Sequence, residues 1–218
     1  IADVAAASDR LKSLAAGSVV FRAGDVGGDL FRIVSGVVTV QCRFTHQDAV
    51  LMHMMWPGEW FGTMEVMVER KRNYTAIART EVTLLRMPGN ELQALLRRRP
   101  EGIIKLGRHA VYGFDLAMQA AADLLIRDAS ARCAAVLLRL ADRRWVSRPN
   151  AGLPIELPAP QSELAMLCNL SRSSFSRVMK EFAASGLVTL NYRSVTLTDP
   201  ARLRSVAEAG RPTANVSY

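Results

Sequence analysis

Apolar positions recur at two different periods along this chain, and the change of period divides it. Up to about residue 88 they come in short β-prone runs, at 18–22, 29–34, 36–42, 49–55, 74–78 and 82–87. Turn formers stand between the runs: Gly17, Gly24-Asp25, Gly27-Gly28, Ser35-Gly36, Pro57-Gly58 and Pro88-Gly89-Asn90. Short strands at such regular spacing predict an all-β sandwich or barrel. From Asn90 the spacing turns helical and stops before Pro100, because a proline pushes the residue before it out of the helical region. Residues 101 to about 126 are then long, nearly free of breakers and patterned by sevens. Ile103, Leu106, Ala110, Gly113, Ala117, Ala120 and Leu124 alternate steps of three and four, as an a/d seam does, and their small members would let two helices approach closely. A helix packed within its own domain gives a similar stripe, so the seam alone leaves both readings open. Residues 127–132 are polar enough for a hinge, a helix is expected over 133–144, and 148–154 reads as an exposed loop.

Residues 160–198 carry the sharpest signal. Two short helices are expected there, one presenting Leu164 and Leu167, the next Phe175, Val178 and Phe182, with Ala165 small where they approach. Asn169 falls at the bend, where a left-handed residue is needed and Asn commonly replaces Gly. Ser171 restarts the helix as its N-cap. The second helix turns Arg172, Ser173, Ser176, Arg177 and Lys180 outward, and such a face suits the major groove of DNA, where Arg pairs with guanine by two hydrogen bonds. Ser171 and the helix N-terminus would hold a phosphate, and Gln161 and Ser174 complete the expected DNA-facing set. A solvated cationic helix with ordinary caps is the plainer reading, but two β-rich runs follow at 187–198 around Asn191-Tyr192-Arg193-Ser194. A hairpin directly after a reading helix is the wing of a winged helix-turn-helix.

Composition agrees without deciding. The chain has 218 residues, 50% of them hydrophobic, a net charge of +8 and a pI near 10.0. That balance favours polyanions by long-range attraction but does not separate DNA from RNA or an acidic membrane. No signal peptide or membrane span is legible, so a cytoplasmic location and no membrane partner are expected. The chain begins Ile1-Ala2-Asp3 without Met, which suggests a few missing N-terminal residues. Cys42, Cys133 and Cys168 are scattered, and His46, His53 and His109 isolated, so neither a disulfide framework nor a metal site is expected. No nucleophile elbow or phosphate-cradling glycine loop is present, no catalytic residue can be assigned, and an enzyme is not expected.

The order of parts resembles the bacterial cyclic-AMP receptor protein and fumarate-nitrate reduction regulator (CRP/FNR) family of transcription factors. The resemblance rests on Arg22-Ala23-Gly24-Asp25, on Phe31-Arg32-Ile33-Val34-Ser35-Gly36-Val37-Val38, on Pro57-Gly58-Glu59-Trp60-Phe61-Gly62 and on Leu170-Ser171-Arg172-Ser173-Ser174-Phe175-Ser176-Arg177. It implies an α+β protein with a cyclic-nucleotide-binding-like β-roll, or jelly roll, at 1–100, a dimerisation helix at 101–127 and a winged helix-turn-helix at 128–218. It further implies a homodimer on an inverted-repeat site of double-stranded DNA, with Ser173, Ser176 and Arg177 at the base-reading positions. Ser173 departs from the Glu that many members carry there, so readout at that base pair should differ. Loop 143–153 is the positional candidate for touching RNA polymerase if the protein activates, and the region near Asp128 for a hinge.

The effector site departs further. Members that bind cyclic AMP hold the ribose with a Gly-Glu pair and the phosphate with an Arg and a neighbouring Ser. Here Gly62 is followed by Thr63, the aligned phosphate position is Asn73 and the Ser position is Tyr74; Arg72 could serve only if the loop slipped by one. On the long helix, Ala117 and Met118 replace the polar pair that meets the adenine. These departures argue against cyclic AMP, and the missing cysteines and lone histidines argue against an iron-sulfur cluster and haem. Trp60, Met64, Phe114 and Met118 instead suit a small apolar effector, or no effector at all. An alternative of another class is a small-molecule sensor module that acts through protein–protein contacts.

Overall fold

A computed structural model describes residues 11–43, 49–68, 70–141 and 154–210. The expected loops 143–153 and most of 148–154 lie outside them. The chain divides into two compact units, Ile1–Leu116 and Ala117–Tyr218.

The first unit is the expected β-roll. Strands β1 (Leu11–Leu14), β8 (Val82–Met87), β3 (Leu30–Ser35) and β6 (Trp60–Phe61) form one sheet, in the order β1-β8-β3-β6. The second runs β2 (Val19–Phe21), β7 (Thr75–Ala78), β4 (Val38–Cys42) and β5 (Val50–Met55). All pairings are antiparallel. Alternation along each strand sends every second side chain inward. Phe31, Ile33, Phe61, Val82 and Leu84 of the first sheet meet Phe21, Val38, Met55, Ala76 and Ala78 of the second in one core. Leu30 and Met87 point the other way and are covered by Leu92 of α2 (Gly89–Arg98) and Leu106 of α3 (Glu101–Leu124). The sequence pattern did not announce β1, which is largely exposed, β6, which is two residues long, or the short helix α1 (Thr63–Val68).

Leu106 departs from the expected seam: it is 5% exposed and belongs to the core of its own unit. Ile103, Gly113, Ala117 and Leu124 of that seam are exposed. The adjoining apolar row is exposed as well. Ile104, Val111, Phe114, Met118 and Leu125 are large and exposed, and with Gly107 and Ala121 they repeat the same steps of three and four.

In the second unit α4 (Ala129–Leu140) is buried along nearly its whole length. It starts four residues before the expected 133, so the polar stretch read as hinge supplies its first turn. Asp128 is the N-cap, its carboxylate accepting from Ala131 N at 2.7 Å. The remaining elements are β9 (Ile155–Leu157), α5 (Gln161–Leu167), α6 (Arg172–Ala184), β10 (Val188–Asn191), β11 (Ser194–Leu197) and α7 (Pro200–Ala209). The sheet order is β10-β11-β9, so the expected hairpin gains a third strand. Among the described residues no helix is long and apolar enough to cross a membrane.

Candidate nucleic-acid interface and sensor pocket

The helix-turn-helix is α5, a tight turn and α6. Leu164 and Ala165 are buried on the first helix and Phe175, Val178, Met179 and Phe182 on the second, which fixes which side of α6 is left outside. Asn169 has φ 49°, the left-handed value its position required. The chain then enters α6 through Ser171, whose Oγ accepts from Ser174 N at 3.1 Å and donates to Ser174 Oγ at 3.0 Å, with Ser173 Oγ also 3.0 Å away. These hydroxyls and the free N–H groups of the first turn form a neutral donor cluster beside positive charge. Arg172, Ser173, Arg177 and Lys180 are exposed together, while Ser174, Ser176 and Gln161 are half-buried. The wing tip, Tyr192-Arg193, projects from the same unit; Tyr192 is 92% exposed and Arg193 is left-handed at φ 58°. The sequence marked the turn but not the exposure of Tyr192 or the left-handed backbone at Arg193.

Behind the turn, the thiols of Cys133 and Cys168 are both buried. Their mutual hydrogen bond and the loss of water push the Cys168 thiol well above the ordinary range. A buried, protonated thiol is a packing group and not a nucleophile.

The sensor region differs from expectation at its centre. Asn73 is exposed, and Arg72 is the buried cation, 4% exposed. Main-chain bonds fix that choice: Arg72 N donates to Asp25 O at 2.9 Å, and Gly24 N donates to Arg72 O at 2.8 Å. The loop has thus placed Arg72 where Asn73 was expected. Its guanidinium donates from Nη1 to Gly62 O at 3.2 Å and to Glu65 Oε2 at 3.0 Å, and from Nη2 to Asp29 O at 2.6 Å. Its central carbon lies 4.2 Å from the Phe21 ring centroid. Gly62 has φ 86°, and a Cβ there would sit 2.7 Å from Arg72 Nη1, so both backbone and approach demand glycine.

Glu65 is the residue the sequence reading missed. It is 1% exposed on α1, and only the fold of the loop brings it to Arg72, seven positions on. Burial and the Glu65 carboxylate push the Tyr74 phenol up, so it stays protonated. Thr63 Oγ1 lies 3.3 Å from His109 Nδ1, and burial lowers the His109 pKa. Trp60 packs among the partly buried side chains over Leu30 and Met87. The structure gathers Gly62, Thr63, Arg72 and Tyr74, while Met64 and Phe114 of the same unit are exposed; Ala117 and Met118, also exposed, belong to the second unit. Among the described residues no cluster of His, Cys, Asp or Glu could hold a metal ion.

Residues 11–99 match the family model of the cyclic nucleotide-binding domain, and residues 131–206 that of the Crp-like helix-turn-helix domain. The chain belongs to the CRP/FNR family. Its relatives include the CRP-like cAMP-activated global transcriptional regulator of Mycobacterium tuberculosis, 29% identical over 187 residues, which are 86% of this chain and 83% of that protein. The cyclic AMP receptor protein of Thermus thermophilus is 29% identical, covering 88% of this chain and 85% of the relative. Among solved structures, a CRP/FNR-family transcriptional regulator from Thermus thermophilus superposes with a TM-score of 0.69 at 26% identity, covering 92% of this chain and 99% of that one. FixK2 from Bradyrhizobium japonicum shares the fold with a TM-score of 0.75 at 18% identity, covering 94% of this chain and 98% of that one. This CRP/FNR chain is a transcription regulator with a helix-turn-helix DNA-binding domain.

Proposed function

We propose that the protein binds an inverted-repeat operator as a homodimer and does so without cyclic AMP. The observation that carries the DNA reading is α6 itself: Arg172, Ser173, Arg177 and Lys180 stand free on the side opposite buried Phe175, Val178, Met179 and Phe182. Arg177 reads guanine, Ser173 and Ser176 make the shorter base contacts, and Gln161, Ser171, Arg172, Ser174 and Lys180 hold phosphates. The exposed row from Ile104 to Leu125 supports the dimer. Left in water it would be a long apolar stripe, and a second copy buries it symmetrically. Two reading helices then enter successive major grooves about 34 Å apart.

Independence from cyclic AMP is supported by the Arg72–Glu65 pair. A cyclic phosphate needs a desolvated cation, and the buried cation of this roll already has a carboxylate on it. The names of the Mycobacterium tuberculosis and Thermus thermophilus relatives favour the opposite response. Contact of loop 143–153 with RNA polymerase belongs to the same proposal if the protein activates.

Selection from a random duplex pool, with and without cyclic AMP, tests this reading. The expected result is the same enriched inverted repeat under both conditions. Enrichment only with cyclic AMP would overturn the ligand half of the proposal, and no enrichment of a repeat under either condition would overturn the dimeric operator.

A further inference from the structure

Arg132 stands on the first turn of α4 and is half-buried. Its guanidinium donates to main-chain carbonyls from two separate stretches. Nη1 donates to Ile126 O and, at 3.4 Å, to Arg127 O, just past the end of α3. Nε donates to Cys168 O at 2.7 Å, in the turn of the helix-turn-helix. Cys168 is the C-cap of α5, Asn169 follows in the left-handed region, and α6 begins at Arg172. A single rigid fork therefore joins the end of the long helix to the turn that aims the reading helix. The carbonyls of Ile126 and Arg127 lie beyond the last turn of α3, outside any helical ladder, and the guanidinium supplies donors to them.

A second tie runs beside the first. Arg139 Nε lies 3.0 Å from Asp123 Oδ2, both side chains buried, linking the last turn of α3 to α4. Gly210, after α7, closes against the same region, since a Cβ there would run into Ala131 Cβ. The segment that sequence reading treated as a hinge near Asp128 is thus braced to the DNA-reading elements of its own unit.

We infer that Arg132 is a positioning residue that sets the spacing of operator half-sites. The inference rests on the dimer reading above, in which α3 lies along the two-fold axis. The distance between the two α6 helices then depends on how α3 ends relative to the α5–α6 turn. One base pair of extra spacing moves a half-site by about 3.4 Å and rotates it by roughly 35°. A planar guanidinium with divergent N–H groups holds two segments at a fixed angle, which the point charge of a lysine does not do.

The test uses duplexes carrying the selected half-site as an inverted repeat at a series of spacings, bound by the full chain as wild type, Arg132→Lys and Arg132→Ala, with a thermal melt of each. Wild type should prefer one spacing by about tenfold, a difference one or two hydrogen bonds can supply. Both variants should keep the same base preferences within each half-site while neighbouring spacings come within a few-fold of the optimum. Weaker binding by one common factor at every spacing, with only a lower melting temperature, would overturn the inference and leave Arg132 a structural residue. Should Arg132→Ala fail to fold, Arg132→Lys, which keeps the charge and stem, decides the matter alone. A wild type that selects only isolated half-sites would overturn the dimer reading, and the inference with it.

Discussion

At the scale of single residues, a charge acts according to whether its partner comes from outside or from within the fold. Arg177 is exposed on the outer side of α6, so its guanidinium is available to DNA. Arg177→Ala should cost about 1–3 kcal/mol on the preferred operator and flatten preference at one base pair, measured by competition against single-base variants. An equal loss on every sequence would make it a phosphate contact instead. Glu65 is the opposite case, buried and paired with a buried cation. Glu65→Gln keeps the shape but removes the charge, and stranding Arg72 should cost about 3–5 kcal/mol in urea unfolding. Added phosphate should restore part of that loss in the variant and leave wild type unmoved; an equal response in both would mean that Glu65 does not occupy an anion's place. The sequence displayed Arg72 and Glu65 equally plainly. It could not pair them, because pairing depends on whether the loop places residue 72 or 73 inward, and main-chain bonds to Gly24 and Asp25 make that choice.

At the scale of elements, local chemistry was legible wherever a backbone requirement left few residue types. Asn169 at φ 49° and Ser171 as N-cap follow from steric and hydrogen-bonding rules that act within one turn. Ser171→Ala should therefore cost about 1 kcal/mol of stability. A loss well below that in a denaturant titration would show that Ser173 or Ser174 takes over the cap. Elements with weak local signals were missed: α1 is six residues long, and β9 pairs through Val195 and Leu157 with a strand far along the chain. The start of α4 was placed too late because Arg127, Asp128, Ser130 and Arg132 make the stretch 127–132 look like a polar hinge, whereas Arg132 is drawn in by carbonyls that sequence does not bring near it.

At the scale of the whole molecule, assembly depends on which side of α3 stays wet. Phe114 is 64% exposed in the row from Ile104 to Leu125. Phe114→Glu should shift sedimentation from dimer to monomer and abolish spacing-dependent operator binding, with the thermal melt of the β-roll little changed. Persistence of the dimer would place the interface elsewhere. The sequence by itself determined the β-roll, the long helix, the reading helix and its capped turn, because periodicity, glycine and proline placement and capping act over a few residues. It also determined that α3 carries a row at steps of three and four. Only the tertiary structure decided that Leu106 leaves the expected seam for the core of its own unit, since its burial comes from packing against Leu30 and Met87 and not from its spacing along the helix. Likewise only the fold decided that Arg72 is answered from within by Glu65 and that Arg132 braces the reading turn, because these contacts join residues whose proximity comes from packing and not from spacing.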